Sequence, residues 1–188
     1  MDGASPDLIA ELTRITARTS AVIFAASLAA GVAELIAPRS SFARRGAGWK
    51  LLGALLVSHT IHFAFVAALT VETHGENIAR RGGSFLTIIV GVLFYAATGG
   101  ALVLRRAPPA ARSVRNLAGD AVLSALVGLA FLEVYVGRVG QSPLFAVLAA
   151  LLSGALLAFV VAVAVRILRR ATPSARQPRG VAQPLDGR

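Results

Sequence analysis

The sequence contains no cysteine. Disulfides, thiolate metal sites, iron–sulfur clusters and cysteine nucleophiles are excluded together, and the redox state of the compartment leaves no mark on the chain. Charge is also scarce. Only 15% of the 188 residues are Asp, Glu, Lys or Arg, where a soluble domain carries about 25%. Acids are the rarer sign, 9 against 19 basic residues, for a net charge of +10. That sign suits nucleic acid, but the arginines sit mainly between apolar runs, where membrane topology accounts for them and no nucleic-acid partner is expected. The first fifteen residues hold three acids and no basic stretch, so a cleaved signal peptide is not expected. A Ser–His–Asp order, a Walker loop, a Rossmann glycine pattern and HExxH are all missing. Nothing here binds a nucleotide recognisably, so any redox chemistry needs electrons from a partner.

What remains is apolar: 56% of residues, with a mean hydropathy of +0.71. Five runs, 19–37, 51–71, 85–104, 118–137 and 144–168, are dense in Ala, Leu and Val. About 20 such residues cross a bilayer core of about 30 Å. A lipid-embedded segment must satisfy its own backbone groups, so all five are expected to be helices. The fold class is therefore an all-α integral membrane protein, a bundle of five transmembrane helices in the lipid bilayer. Fourteen of the basic residues follow spans one, three and five, and five lie on the opposite side. Positive residues mark the cytoplasmic side, which predicts N-out/C-in in a bacterial-type inner membrane. The chain divides into an N-terminal interfacial segment (1–17), the five-helix domain (18–170) and a disordered cytoplasmic tail (171–188). Leu8, Ile9, Leu12 and Ile15 give the first segment a helical apolar spacing. The tail mixes Pro, Gly, Arg and Gln without an apolar period.

Ionisable residues inside a span are functional candidates by default. The second span holds Ser58, His59 and His62 in the string SHTIH. The histidines are three apart and share a face. His62 lies about 16 Å in from Leu51, near the middle of the membrane. An imidazole there needs a carboxylate, a carbonyl, water or a metal. The plain alternative is two neutral, hydrogen-bonded histidines holding helices together. Two histidines at this spacing cannot take opposite faces of one haem. In the fourth span, Asp120 sits near the helix start, where a carboxylate favours the positive end of the dipole, and Glu133 lies within reach of Arg138. Glu34, at the end of the first span, is expected to pair with Arg39. Glu72, His74 and Glu76 gather in an exposed loop, where a weak metal site is the chemical option. Gly91, Gly99 and Gly100 in the third span allow close approach of a helix or a flat ligand.

The stretch from Arg44 through SHTIHF resembles the ferric reductase-like transmembrane family of small bacterial membrane cytochromes b. The fourth span ends FLEVYVGR, and Phe131, Tyr135, Gly137 and Arg138 match that family's Tyr-x-Gly-Arg ending. The resemblance runs from about Arg44 to Arg138. It implies haem b held by histidines on different helices, with electrons passing to or from a quinone, a flavin or a partner protein. The sequence departs from the pattern at one place: where the relatives open the later helix with histidine, this chain has Asp120. What the resemblance then leaves is five-coordinate haem on His59 or His62, ligation shared between protomers, or a haem-free relative. A five-coordinate site needs a flat apolar slot, to which Gly91, Gly99 and Gly128 are the expected contributors. Two other classes stand beside this one. One is a non-catalytic membrane subunit or scaffold with a buried His/Glu cluster. The other is a small transporter or proton relay using His59, His62 and Glu133.

Overall fold

The computed structural model describes residues 6–74 and 84–172. Among these residues every regular element is helical. The order is α1 (Pro6–Ile36), α2 (Ser41–Arg45), α3 (Ala47–Glu72), α4 (Ser84–Arg106), α5 (Val114–Val136), a short 3-10 turn (Val139–Gln141) and α6 (Pro143–Ala171). Five of the helices are long and apolar enough to cross a membrane. Residues 6–17, expected as a separate interfacial segment, continue into the first span as one helix of 31 residues. Ile9 and Thr13 are already buried in that early part, so it packs on the bundle. The tail beyond 172, and Glu76 of the outer loop, lie outside the described residues.

Local chemistry explains the breaks. Pro38 lacks the amide proton that would continue α1. Ser40 caps α2, its Oγ accepting the Ala43 N–H at 3.1 Å. Gly46 then turns the chain into α3 at φ 65°, a left-handed angle that a Cβ disfavours. Ser113 and Ser142 cap α5 and α6 in the same manner, with Pro143 in the first turn of α6.

The long helices pack in chain order as a ring: α1 on α3, α3 on α4, α4 on α5, α5 on α6, and α6 back on α1. Of the most apolar stretch of α1, 56% is buried, against 6% for α3, so α1 fills the interior and α3 lies at the edge. Phe24, Leu28, Leu52, Leu55, Leu117, Val127, Leu152 and Phe159 form the apolar centre. The outer surface is also apolar, with Val57, Ile61, Leu93, Val122, Leu129, Val147 and Leu157 exposed, while Glu34, Arg105, Arg112 and Asp120 are buried. Charge inside and apolar side chains outside suits a multi-pass membrane protein.

Candidate functional site

The histidine pair stands half-way along α3. His59 is about 18 Å from the helix start and about 20 Å from its end. Its imidazole stacks on Phe94 of α4, with centroids 3.9 Å apart and planes inclined by 27°. Phe63 meets it edge-on at 5.0 Å, and Phe131 of α5 does so at 5.9 Å. His62 is 5.2 Å away and Tyr95 6.2 Å. Aromatic rings from three helices thus enclose His59, and its Nδ1 is buried with no hydrogen-bond partner among the described residues.

His62 faces α1 instead. Its Nδ1 lies 3.1 Å from the Thr13 carbonyl and 3.2 Å from Thr16 Oγ1. A carbonyl can only accept, so the Thr13 contact is a hydrogen bond when the ring proton sits on Nδ1. One turn away, the hydroxyls of Ser58 and Ser20 pair at 3.0 Å. Tyr95 closes the opposite side by donating to Thr60 Oγ1 at 3.0 Å. Each such interhelical bond in lipid contributes about 0.6–2 kcal/mol. The polar face of α3 therefore docks that helix on α1 and α4.

A second polar site lies about 16 Å along α5 from the first, the rise between Phe131 and Asp120. Arg105, fully buried, donates from Nε to both Asp120 oxygens at 2.9 Å. Its Nη1 donates to the Ser27 carbonyl at 3.0 Å, and its Nη2 to Ser124 Oγ at 2.9 Å. The guanidinium also lies 4.4 Å over the Phe159 ring. One side chain of α4 thereby holds α1, α5 and α6. Arg112, in the α4–α5 loop, does similar work beside it. It donates to the Arg105 carbonyl at 2.8 Å, to the Ala107 carbonyl at 2.9 Å and to Glu34 at 3.4 Å. Burial pushes this guanidinium below its ordinary pKa, and the Asp120 and Glu34 carboxylates act in the opposite direction. Glu34 accepts in turn from the Gly48 N–H of α3 at 2.8 Å. Arg170 of α6 donates to the Arg112, Pro109 and Ala110 carbonyls of the same loop. Two buried arginines and two buried carboxylates balance, and between them they touch all five long helices.

The candidate residues from the sequence therefore separate. Ser58, His59 and His62 come together, with Phe131 beside them. Asp120 does not join them. It is no helix-start carboxylate either: α5 begins at Val114, so Asp120 lies in the second turn, where Arg105 neutralises it. Glu34 pairs with Arg112 rather than with Arg39, since the α4–α5 loop folds over the end of α1. Glu133 is exposed rather than buried, and no ion pair joins it to Arg138 among the described residues. It stands two residues beyond Phe131, on a different face of α5 from the ring that meets His59. Arg138 is half-buried, and its guanidinium lies 6.0 Å from the Phe145 ring. Tyr135 donates to the Ala17 carbonyl at 3.1 Å, so the aromatic ending of this span closes α5 on α1.

The described residues do not fit a haem b held between two helices of this chain. No histidine faces the pair from another helix, and aromatic rings crowd His59. Of the three glycines expected to open a slot, Gly91 and Gly128 have neighbours against them, as does Gly100 beside Gly99. A Cβ at Gly91 would lie 3.2 Å from Phe63, one at Gly100 2.7 Å from Leu123, and one at Gly128 2.8 Å from Leu156. Gly99 alone of that group has open space before it.

No family model matches the chain, and no curated protein or solved structure matches it either. Several residues that build these sites were not singled out in the sequence. Arg105 and Arg112 read there as topology arginines, Thr13 and Thr16 as part of the interfacial segment, and Ser20 as an ordinary residue of the first span. A signal existed for one partner: Ser124 is four residues from Asp120 and shares its face.

Proposed function

We propose that the chain is a non-catalytic five-span membrane subunit, a rigid platform for a partner protein in a bacterial-type inner membrane. Its N-terminus is outside and its C-terminal arginines are in the cytoplasm, by the distribution of basic residues. The observation that carries this reading is that the ionisable side chains of the bundle's interior are packed or paired within it. His59 is enclosed by Phe63, Phe94 and Phe131, His62 is tied to Thr13 and Thr16, and Asp120 is held by Arg105. Side chains committed to packing in this way specify one arrangement of helices. Thermal unfolding of the detergent-purified chain tests the reading. His62→Ala is expected to lower the midpoint while the visible spectrum stays featureless before and after the substitution. An unchanged midpoint would leave the histidine free for some other task and refute the packing role.

One observation favours a second reading, a ferric reductase-like electron-transfer subunit. The contact of His62 Nδ1 with the Thr13 carbonyl is the kind of hydrogen bond that metal-ligating histidines commonly make. In that reading His62 would hold haem b, which would supply one-electron transfer. Any second ligand would come from another protomer, and a quinone or a redox partner protein would give or take the electrons.

A further inference from the structure

Where α1 stops, an open cleft of about 380 Å³ is lined by Ala37, Pro38, Arg39, Ser40 and Arg166. Two of these residues are arginines and none is acidic. Arg166 Nε is shielded from solvent and has no hydrogen-bond partner among the described residues. Neither Arg39 nor Arg166 forms an ion pair among those residues. The buried acids at this end are already engaged, Glu34 with Gly48 and Arg112, and Asp120 with Arg105. Among the described residues the cleft is therefore a concentration of positive charge with no acid paired to it, open to an anion from solution or lipid. Ser40 uses its oxygen as an acceptor for the Ala43 N–H, which leaves its hydroxyl proton to donate.

The surroundings identify the class of anion. Arg166 is five residues from the end of a membrane-length helix. Ile36, next to the cleft in the chain, is 73% exposed, and Val165 and Leu168 on either side of Arg166 are exposed too. Guanidinium groups beside outward apolar side chains, at the end of a span, match a lipid whose phosphate is anionic and whose tails are apolar. We propose that this cleft binds the phosphate of an anionic phospholipid through Arg39 and Arg166, with the acyl chains against Ile36, Val165 and Leu168. Inorganic phosphate shares the headgroup chemistry and lacks the tails.

The proposal rests on membrane insertion, which recovery of the chain in the membrane fraction tests separately. Native mass spectrometry of the full chain in detergent, offered equal phosphatidylglycerol and phosphatidylcholine, reads the preference. Phosphatidylglycerol is expected to be retained over phosphatidylcholine, with the preference falling about fivefold for each guanidinium removed by Arg39→Gln or Arg166→Gln. Arg169→Gln, outside the cleft, is expected to leave it unchanged. Arg39 is exposed, so its variant keeps the test open if Arg166→Gln fails to fold. Equal retention of the two lipids, or a preference that survives Arg39→Gln, overturns the site. Stabilisation by inorganic phosphate without any lipid preference overturns the lipid as the source.

Discussion

Removing the carboxylate of Asp120 should be among the most damaging single changes in the bundle. Arg105 is fully buried and Asp120 is 1% exposed, and the two share a pair of bonds of 2.9 Å. Asp120→Leu leaves the guanidinium with the Ser27 carbonyl, Ser124 Oγ and the Phe159 ring, none of which carries a negative charge. A buried charge stripped of its partner costs about 3–5 kcal/mol. At about 2–4 °C per kcal/mol for a chain of this size, the midpoint of thermal unfolding should fall by roughly 6–20 °C. The reciprocal change, Arg105→Met, leaves Asp120 uncompensated and should cost a similar amount. The double variant is the decisive one. With both charges gone and a flexible apolar side chain against Phe159, it should be more stable than either single variant. The assay is circular dichroism at the helical band, with heating in one detergent for all four proteins. A loss under about 1 kcal/mol for Asp120→Leu, or a double variant showing the sum of the two single losses, would refute the ion network as the clasp of the bundle.

The other expected outcomes concern single side chains and the orientation. His59→Ala should lower stability by about 2–5 kcal/mol by emptying the space between Phe63, Phe94 and Phe131. His59→Phe should stay within about 1 kcal/mol of the parent, because the ring is kept and an unpartnered buried nitrogen is lost; both are read by the same melting assay. Gly31→Ala places a Cβ 2.8 Å from the Phe159 ring and should cost about 1–3 kcal/mol. Gly99→Ala meets nothing within 4 Å and should gain up to about 1 kcal/mol of helix propensity in that assay. A reporter that works only in the cytoplasm, fused after Arg188, should be active, and activity of a periplasmic reporter there would contradict the orientation.

The five long helices were legible because lipid leaves few alternatives: twenty apolar residues without satisfied backbone groups have nowhere else to go. Their ends were less legible. The start of α1 lies well before residue 19, because polar residues such as Thr13 and Thr16 extend it and face the interior rather than lipid. Ser58, His59 and His62 were visible as a group, since three-residue spacing puts them on one face. Their surroundings were not, because the rings around them come from three helices whose relative rotation no local pattern records. Glu34 shows the same limit. Its near neighbour in sequence is Arg39, but its ion-pair partner Arg112 lies 78 positions along the chain and is delivered by a loop. Arg105 was hidden by its position at the end of a span, where an arginine ordinarily marks topology. Only the antiparallel packing of α4 on α5 turns it inward to Asp120.

Absorption spectroscopy tests the central claim most directly. The chain would be purified in detergent from cells supplied with haem precursor, and its spectrum recorded oxidised and then reduced with dithionite. A subunit whose histidines are committed to packing should give no visible bands in either state while retaining full helical signal. Sharp reduced α and Soret bands that disappear in His59→Ala or His62→Ala would contradict it and establish a membrane cytochrome b.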